Sequence, residues 1–331
     1  MLFLVPLWLI EYVNKKLPLY LKFVKVKKIQ FLVLAIALIG IACIVPKQHQ
    51  YISFKTAKEF QAFLNRKTKP YPLLSAHRGG PMPGFPENAI ETFENATTYQ
   101  PVIIEFDVAL SKDSALVIMH DDKLDRTSTG TGLVSSYTYN ELQKLTLKDD
   151  DGKVTTFKIP TLEEVLHWGK NKVLFTIDIK RGVPYEKIIA AVRKTKSETN
   201  SIIITYNANQ AAKVHELAPD LMISATVKSP EDLERLNQMG VPNDKIIAFV
   251  GVSEPSQSLY QYLHGKGIST ILGTMGNLDK SAKANKNRQV YRNLVGNGAD
   301  VLSTDDVVLA GQQLDAYRIE KQLNLKNIKL Q

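Results

Sequence analysis

From Tyr71 onward the chain alternates short apolar runs with longer stretches in which apolar residues recur every three or four positions. Short runs bounded by turn residues predict strands and the longer periodic stretches predict helices, and their alternation predicts a parallel sheet covered by helices. Nine runs qualify as strands: LLSAH (73–77), VIIEFD (102–107), LVIMH (116–120), VLFTIDIK (173–180), SIIIT (201–205), LMISAT (221–226), IIAFVG (246–251), ISTILG (268–273) and ADVLSTD (299–305). A (β/α)8 barrel of the TIM type has eight, so at least one of the nine lies outside the closed ring. The second and third runs are joined through Ser111-Lys112-Asp113-Ser114, too short for a helical crossover, so that link runs extended or the pair is locally irregular. Pro86 opens a helix over ENAIETFENA, with Ala89, Phe93 and Ala96 on one face, and Thr161-Leu162-Glu163-Glu164 is a capping box before VLHW.

A different pattern precedes the barrel. Ile29 to Pro46 reads IQFLVLAIALIGIACIVP without a charge, about the shortest stretch that crosses a bilayer as a helix. Lys15, Lys16, Lys22, Lys25, Lys27 and Lys28 crowd its N-terminal flank, so the positive-inside tendency keeps residues 1–28 in the cytoplasm and sends the rest outside, to the periplasm or beyond. The expected plan is a basic segment (1–28), a transmembrane or signal-anchor helix (29–46), a polar stalk with Phe54, Phe60 and Phe63 at helical spacing (47–70), the barrel (71–320) and a polar tail (321–331). Cys43 is the one cysteine, so no intramolecular disulfide forms. Gly40-Ile41-Ala42-Cys43 is a weak lipoprotein cleavage box, and an uncleaved helix is the more economical reading.

The formal charge of +9 invites a nucleic-acid reading, but the six flanking lysines, offset by Glu11, leave only +4 for the rest of the chain. No basic run is set among aromatics, so a nucleic-acid partner is not expected.

The early strands end in ionisable residues: His77-Arg78, Glu105 and Asp107, His120-Asp121, and Asp178 with Lys180. In such a barrel the active site is built at the C-terminal strand ends. Glu105 and Asp107 share a strand face and, with Asp178, make three carboxylates that repel one another unless a cation joins them. All-oxygen ligation points to one divalent cation, Mg2+ or Ca2+. Arg78 and Lys180 supply positive charge suited to a phosphate, and His77 and His120 are a candidate acid and base.

HRGG (77–80), PENAIETF (86–93), IIEFDV (103–108), KDSALVIMHDDKLDRTSTGTG (112–132), IPTLEEVL (159–166) and IDIK (177–180) together resemble the glycerophosphodiester phosphodiesterase family, closely over the first half of the barrel and loosely over the second. The resemblance implies a phospholipase C-like phosphodiesterase barrel that hydrolyses deacylated phospholipids, such as glycerophosphocholine or glycerophosphoethanolamine, to glycerol 3-phosphate and an alcohol. It implies that His77 and His120 are acid and base, that Glu105, Asp107 and Asp178 bind the metal, that Lys180 lies beside the phosphate, and that Glu87 lines the same pocket. Three departures stand out: Asp178 replaces the usual glutamate of Glu-x-Lys, Thr205-Tyr206 replaces Ser-Phe, and Ser269 to Thr274 lacks the usual Trp-Thr. The same residues would also suit a lyase releasing a cyclic phosphate, or a binding barrel without turnover.

His49, His167, His215 and His264 read as surface or packing residues. Asp149-Asp150-Asp151-Gly152 lacks the alternating ligands of a calcium loop and reads as a solvated turn. Ser303-Thr304-Asp305 is expected to close the barrel against the first strand.

Overall fold

A computed structural model describes residues 48–67, 70–285 and 289–331. Its strands are β1 (Gln50–Ile52), β2 (Leu73–Ala76), β3 (Val102–Leu110), β4 (Leu116–Ile118), β5 (Leu174–Ile179), β6 (Ser201–Thr205), β7 (Met222–Thr226), β8 (Ile246–Phe249), β9 (Thr270–Gly273), β10 (Val301–Thr304) and β11 (Ile328–Leu330). Eight of them pair in parallel around a closed ring, β2-β3-β5-β6-β7-β8-β9-β10, with β10 returning to β2 in the register Val301↔Leu73 to Thr304↔Ala76. The segment before Asp305 thus closes the barrel as the sequence predicts.

The ninth run, β4, is the one outside the ring. β3 continues past the barrel rim, and β4 folds back antiparallel on its last three residues, Val108↔Ile118 to Leu110↔Leu116. A tight turn, with Ser114 at φ 61 and Ser111 N–H bonded to the Ala115 carbonyl at 3.0 Å, makes the reversal. Five linking residues, 111–115, permit a hairpin where a parallel crossover needs about a dozen. Behind this hairpin, Val117, Met119, Leu124, Val134, Leu142, Leu147 and Ile159 form a small core of their own beside the barrel mouth.

At the opposite end the barrel is plugged. Leu73, Ile103, Leu174, Ile202, Met222, Ile247, Ile271 and Val301, one from each barrel strand, pack with Ile52, Phe54, Phe60 and Leu64. The segment expected as a polar stalk is therefore part of the domain from Gln48 onward: its phenylalanine stripe, Phe54 in the link after β1 and Phe60 and Phe63 on the helix Ala57–Leu64, packs on the barrel floor. A free stalk would leave that stripe in water, and burying it is worth about 1.5–3 kcal/mol per large side chain. The expected polar tail is also structured, since β11 pairs antiparallel with β1, and His49 and Gln331 exchange backbone hydrogen bonds at 2.7 and 2.9 Å.

The first barrel helix begins at Ile90 rather than after Pro86, because Asn88 adopts a left-handed conformation (φ 60). The Thr161 capping box forms as predicted, with Thr161 Oγ1 accepting from Glu164 N–H and Glu164 Oε2 from Thr161 N–H. Among the described residues no helix is long and apolar enough to cross a membrane. The expected anchor and basic segment, with Cys43, lie outside the described residues.

Phe60 is 1% exposed. Replacing it by alanine should cost about 3–5 kcal/mol in denaturant unfolding, the usual penalty for emptying a buried aromatic site. An unchanged midpoint would mean that the plug is not part of the cooperative unit.

Candidate active site

The metal-ligand candidates sit on two adjacent parallel strands. The β3–β5 register places Asp107 beside Asp178 and Glu105 one inward-facing step deeper, beside Thr176. Each of the three offers an oxygen within 4.8 Å of the others, and all three are buried. Lys180 Nζ bridges two of them, 2.6 Å from Asp107 Oδ1 and 2.8 Å from Asp178 Oδ2. Burial opposes the charge of both Lys180 and Asp178, but their mutual attraction outweighs it, raising the lysine and lowering the aspartic acid. Glu105 lacks such a partner. Burial, then the charge of Asp107, push its carboxyl up to about 8. Hard oxygen donors converging in a desolvated mouth, one kept from ionising by its neighbours, fit a divalent cation.

The HRGG turn after β2 delivers the first histidine and arginine. Gly79 (φ +88) faces the Phe93 ring, which a Cβ would meet at 2.2 Å, so only glycine fits this tight passage. Arg78 itself is left-handed (φ 51), a conformation that costs a non-glycine residue about 1 kcal/mol or more. Its backbone is held on both sides: the N–H donates to Glu105 Oε2 at 2.7 Å and the carbonyl accepts from Asn88 N–H at 2.9 Å. Asn88 in turn donates through Nδ2 to Asp107 Oδ2 at 2.8 Å and accepts from the Asp107 N–H at 3.1 Å. The left-handed turn at Asn88 thus serves the site, which is why the helix starts late.

The β3–β4 hairpin returns the chain to the mouth, where Met119 N–H bonds the Asp107 carbonyl at 2.9 Å and His120 follows. His120 Nδ1 lies 2.6 Å from Asp121 Oδ1, and its Nε2 lies 2.7 Å from Arg78 Nη2. A guanidinium can only donate, so Nε2 accepts and the ring proton sits on Nδ1, facing Asp121. A ring of charge closes the arrangement. Arg126 holds Asp121 through Nε (2.7 Å) and Nη2 (2.9 Å) and grips both oxygens of Glu87 at 2.8 Å, while Arg78 Nη1 reaches Glu87 Oε2 at 3.0 Å. Arg126 hydrogen bonding holds Asp121 well below the usual carboxylate range. Burial would raise Glu87, but Arg126 and Arg78 outweigh it.

His77 faces the same mouth from the other side, with Nδ1 2.7 Å from Asp305 Oδ1. Burial disfavours its charge, but the hydrogen bond it donates to Asp305 and the charges of Glu105 and Asp305 prevail and raise its pKa. Asp305 is fixed from below, its N–H donating at 2.9 Å to buried Asp279, which also accepts from Tyr291 Oη and Thr304 Oγ1. A cavity of about 210 Å3 is lined by His77, His120, the three carboxylates and Lys180, together with Tyr206, Phe249 and Met275 from later in the chain.

The sequence-predicted histidines, carboxylates and Lys180 thus meet on one cavity. Glu87 does not line it: the residue is buried behind Arg78, between two guanidinium groups, and acts through them. Asn88, Arg126 and Asp305 are not singled out as site residues by the sequence, although Asn88 and Arg126 lie in stretches that carry the family resemblance, and Asp121 and Tyr206 are noted there without a role. In the turn at Asp149, Asp150, Asp151 and Gly152 are exposed as expected of a solvated turn, but its first residue is not. Asp149 is buried and accepts from the N–H groups of Gly84, Asp151 and Lys153, pinning the turn to the loop after β2.

Residues 77–268 match the model of the glycerophosphoryl diester phosphodiesterase family. A glycerophosphodiester phosphodiesterase of Caldanaerobacter subterraneus is 37% identical over 158 residues, which cover 46% of this chain and 65% of the relative, just under two thirds of its length. An uncharacterized Bacillus subtilis protein, YqiK, is 30% identical over 242 residues, covering 70% of this chain and 94% of the relative. The crystal structure of a glycerophosphoryl diester phosphodiesterase from Parabacteroides distasonis superposes with a TM-score of 0.74 at 32% identity, covering 81% of this chain and 94% of that one.

Glu105 sets the sign of one pH dependence. Its folded-state pKa of about 8 lies above the ordinary glutamate value, so the stability it contributes is full at acid pH and is lost as the pH rises through about 8. Metal-free protein should melt at progressively lower temperature over that range, Glu105→Gln should remove this part of the slope, and saturating Mg2+ or Ca2+ should flatten it in the native chain. Identical slopes for the metal-free native and Glu105→Gln proteins would mean that Glu105 is ionised throughout.

Proposed function

The chain belongs to the glycerophosphoryl diester phosphodiesterase family, and on that premise we propose that it hydrolyses glycerophosphodiesters to glycerol 3-phosphate and an alcohol with one divalent cation, Mg2+ or Ca2+. The observation that carries this reading is the convergence of three buried carboxylates, two histidines and a lysine on a single cavity.

Glu105, Asp107 and Asp178 would hold the cation, which supplies a Lewis acid for a phosphoryl oxygen. Lys180, kept charged by Asp107 and Asp178, offers a second positive group to the phosphate. His120 carries its proton on Nδ1, against Asp121, so Nε2 is a lone pair ready to take a proton from water once Arg78 turns from it to the phosphate. His77 is the acid. Its pairing with Asp305 favours the imidazolium, which gives its proton to the departing alkoxide as the water oxygen bonds to phosphorus and the phosphorus–alcohol bond breaks.

The reading is tested by assaying the protein against a panel of glycerophosphodiesters. Glycerol 3-phosphate should form with Mg2+ or Ca2+ and cease to form on chelation, and a cyclic phosphate as the final product would instead mean a lyase. His77→Ala and His120→Ala should each lower kcat by about two to four orders of magnitude, the usual worth of general acid or base catalysis, with little change in melting temperature. A nearly active His120→Ala enzyme would make this histidine structural.

The membrane is the proposed second partner. The uncharged run 29–46 and the lysines before it support an anchor with the barrel on the extracytoplasmic side. Protease added to intact cells or spheroplasts should then degrade the barrel. Full protection, with an accessible control protein digested, would overturn the orientation.

A further inference from the structure

Two of the departures from the family pattern meet in space. By the resemblance drawn from the sequence, Asp178 stands at the position of a glutamate and Tyr206 at that of a phenylalanine. Losing one methylene draws a carboxylate back toward its own strand by about 1.5 Å. Asp178 Oδ1 accepts a 2.7 Å hydrogen bond from Tyr206 Oη, a donor that phenylalanine lacks, while Lys180 Nζ takes Oδ2.

The tyrosine is placed to do this reproducibly. It follows β6, the next barrel strand after the one that carries Asp178, at the junction with the helix Ala208–Leu217. Its N–H donates to Gln210 Oε1 at 2.8 Å, and Asn207 beside it caps the helix by accepting from Gln210 N–H at 3.0 Å. The ring is 59% exposed, so the hydrogen bond to Asp178, rather than packing, fixes where the phenol points. Burial of the hydroxyl end and the Asp178 charge both disfavour tyrosinate, so the group remains an O–H donor.

We propose that Tyr206 is the positioning residue for the metal ligand Asp178, holding its short carboxylate in the orientation that leaves it able to bind a cation, and so making up for the missing methylene. The inference rests on the metal-binding part of the function proposed above. Neighbouring groups that orient ligands commonly change metal affinity by about 10- to 100-fold. The phenol belongs to that class, and its effect is specific to a ligand too short to reach unaided.

The experiment measures metal rather than turnover. Mg2+ and Ca2+ are titrated calorimetrically into the full chain and into Tyr206→Phe, Asp178→Glu and the double variant, with metal-free melting temperatures recorded for each. Tyr206→Phe should melt near the native temperature and bind metal about 10- to 100-fold more weakly, with the larger loss for Mg2+, the ion that tolerates less distortion. In the Asp178→Glu background the same change should alter affinity by no more than about twofold, the usual margin for uncoupled sites. Native affinity in Tyr206→Phe, or an equal loss in both backgrounds, would overturn the proposal. A native chain that binds neither ion would overturn the metal reading itself, a result distinct from either of these.

Discussion

Mutual repulsion of Glu105, Asp107 and Asp178 in a mouth with little water is the interaction to which the surrounding residues answer. Like charges a few ångströms apart in a desolvated site cannot all ionise at low cost. Lys180 answers for one oxygen each of Asp107 and Asp178, Asn88 for the other oxygen of Asp107, Tyr206 for the other oxygen of Asp178, and the Arg78 N–H for an oxygen of Glu105. Each donor imposes something on the backbone that carries it. Asn88 and Arg78 are both left-handed, and the two glycines after Arg78 complete a turn that other residues could not make. The local strain of the HRGG and PEN segments and the electrostatics of the carboxylates are therefore one problem with one solution.

The barrel staves were legible because their period and flanking turns are properties of neighbouring residues. Each of the eight lies within its predicted run, except that β3 continues three residues beyond. The odd strand was legible only by subtraction, since so short a link excludes a parallel crossover without saying which strand leaves the ring. The phenylalanine stripe at 54, 60 and 63 was visible, but periodicity does not say which surface will cover it, and the barrel floor that does is assembled from eight distant strands. In the site, residues whose own chemistry marks them were found. Those that act through another were not: Asp305 meets His77 across 228 positions and Arg126 meets Glu87 across 39, distances over which sequence spacing carries no geometry. The resemblance points Glu87, through its place in the PEN segment, to the pocket wall, whereas its charge serves to hold two guanidinium groups.

Charge enters the cavity from one half of the chain. Every carboxylate, histidine and lysine on the cavity comes from β2 through β5 or the segments among them, while the later half contributes the hydroxyls of Thr205, Tyr206, Ser224, Thr226 and Ser303 and the apolar Ile204, Phe249, Ile271 and Met275. Gly273 lies in the stretch that lacks the expected Trp-Thr pair, and a side chain there would run into Met275 Sδ at 2.8 Å and Val252 Cγ1 at 3.0 Å. The family model matches from His77 to Ile268 and so ends before β9 and β10.

The pairing of β1 with β11 has a mechanical consequence. Gln48 leads directly into His49, whose backbone is bonded to Gln331 at one end of that two-stranded ladder, on the side of the barrel away from the cavity. Tension applied at Gln48 and directed away from the floor falls first on this outermost pair and on the hydrogen bond from His49 to Thr97, and then rung by rung on the ladder and on the bonds that tie Gln50 to Tyr99 and Ile52 to Lys172. Pulling on the polypeptide where it enters the domain is thus met at the floor, the end of the barrel farthest from the carboxylates.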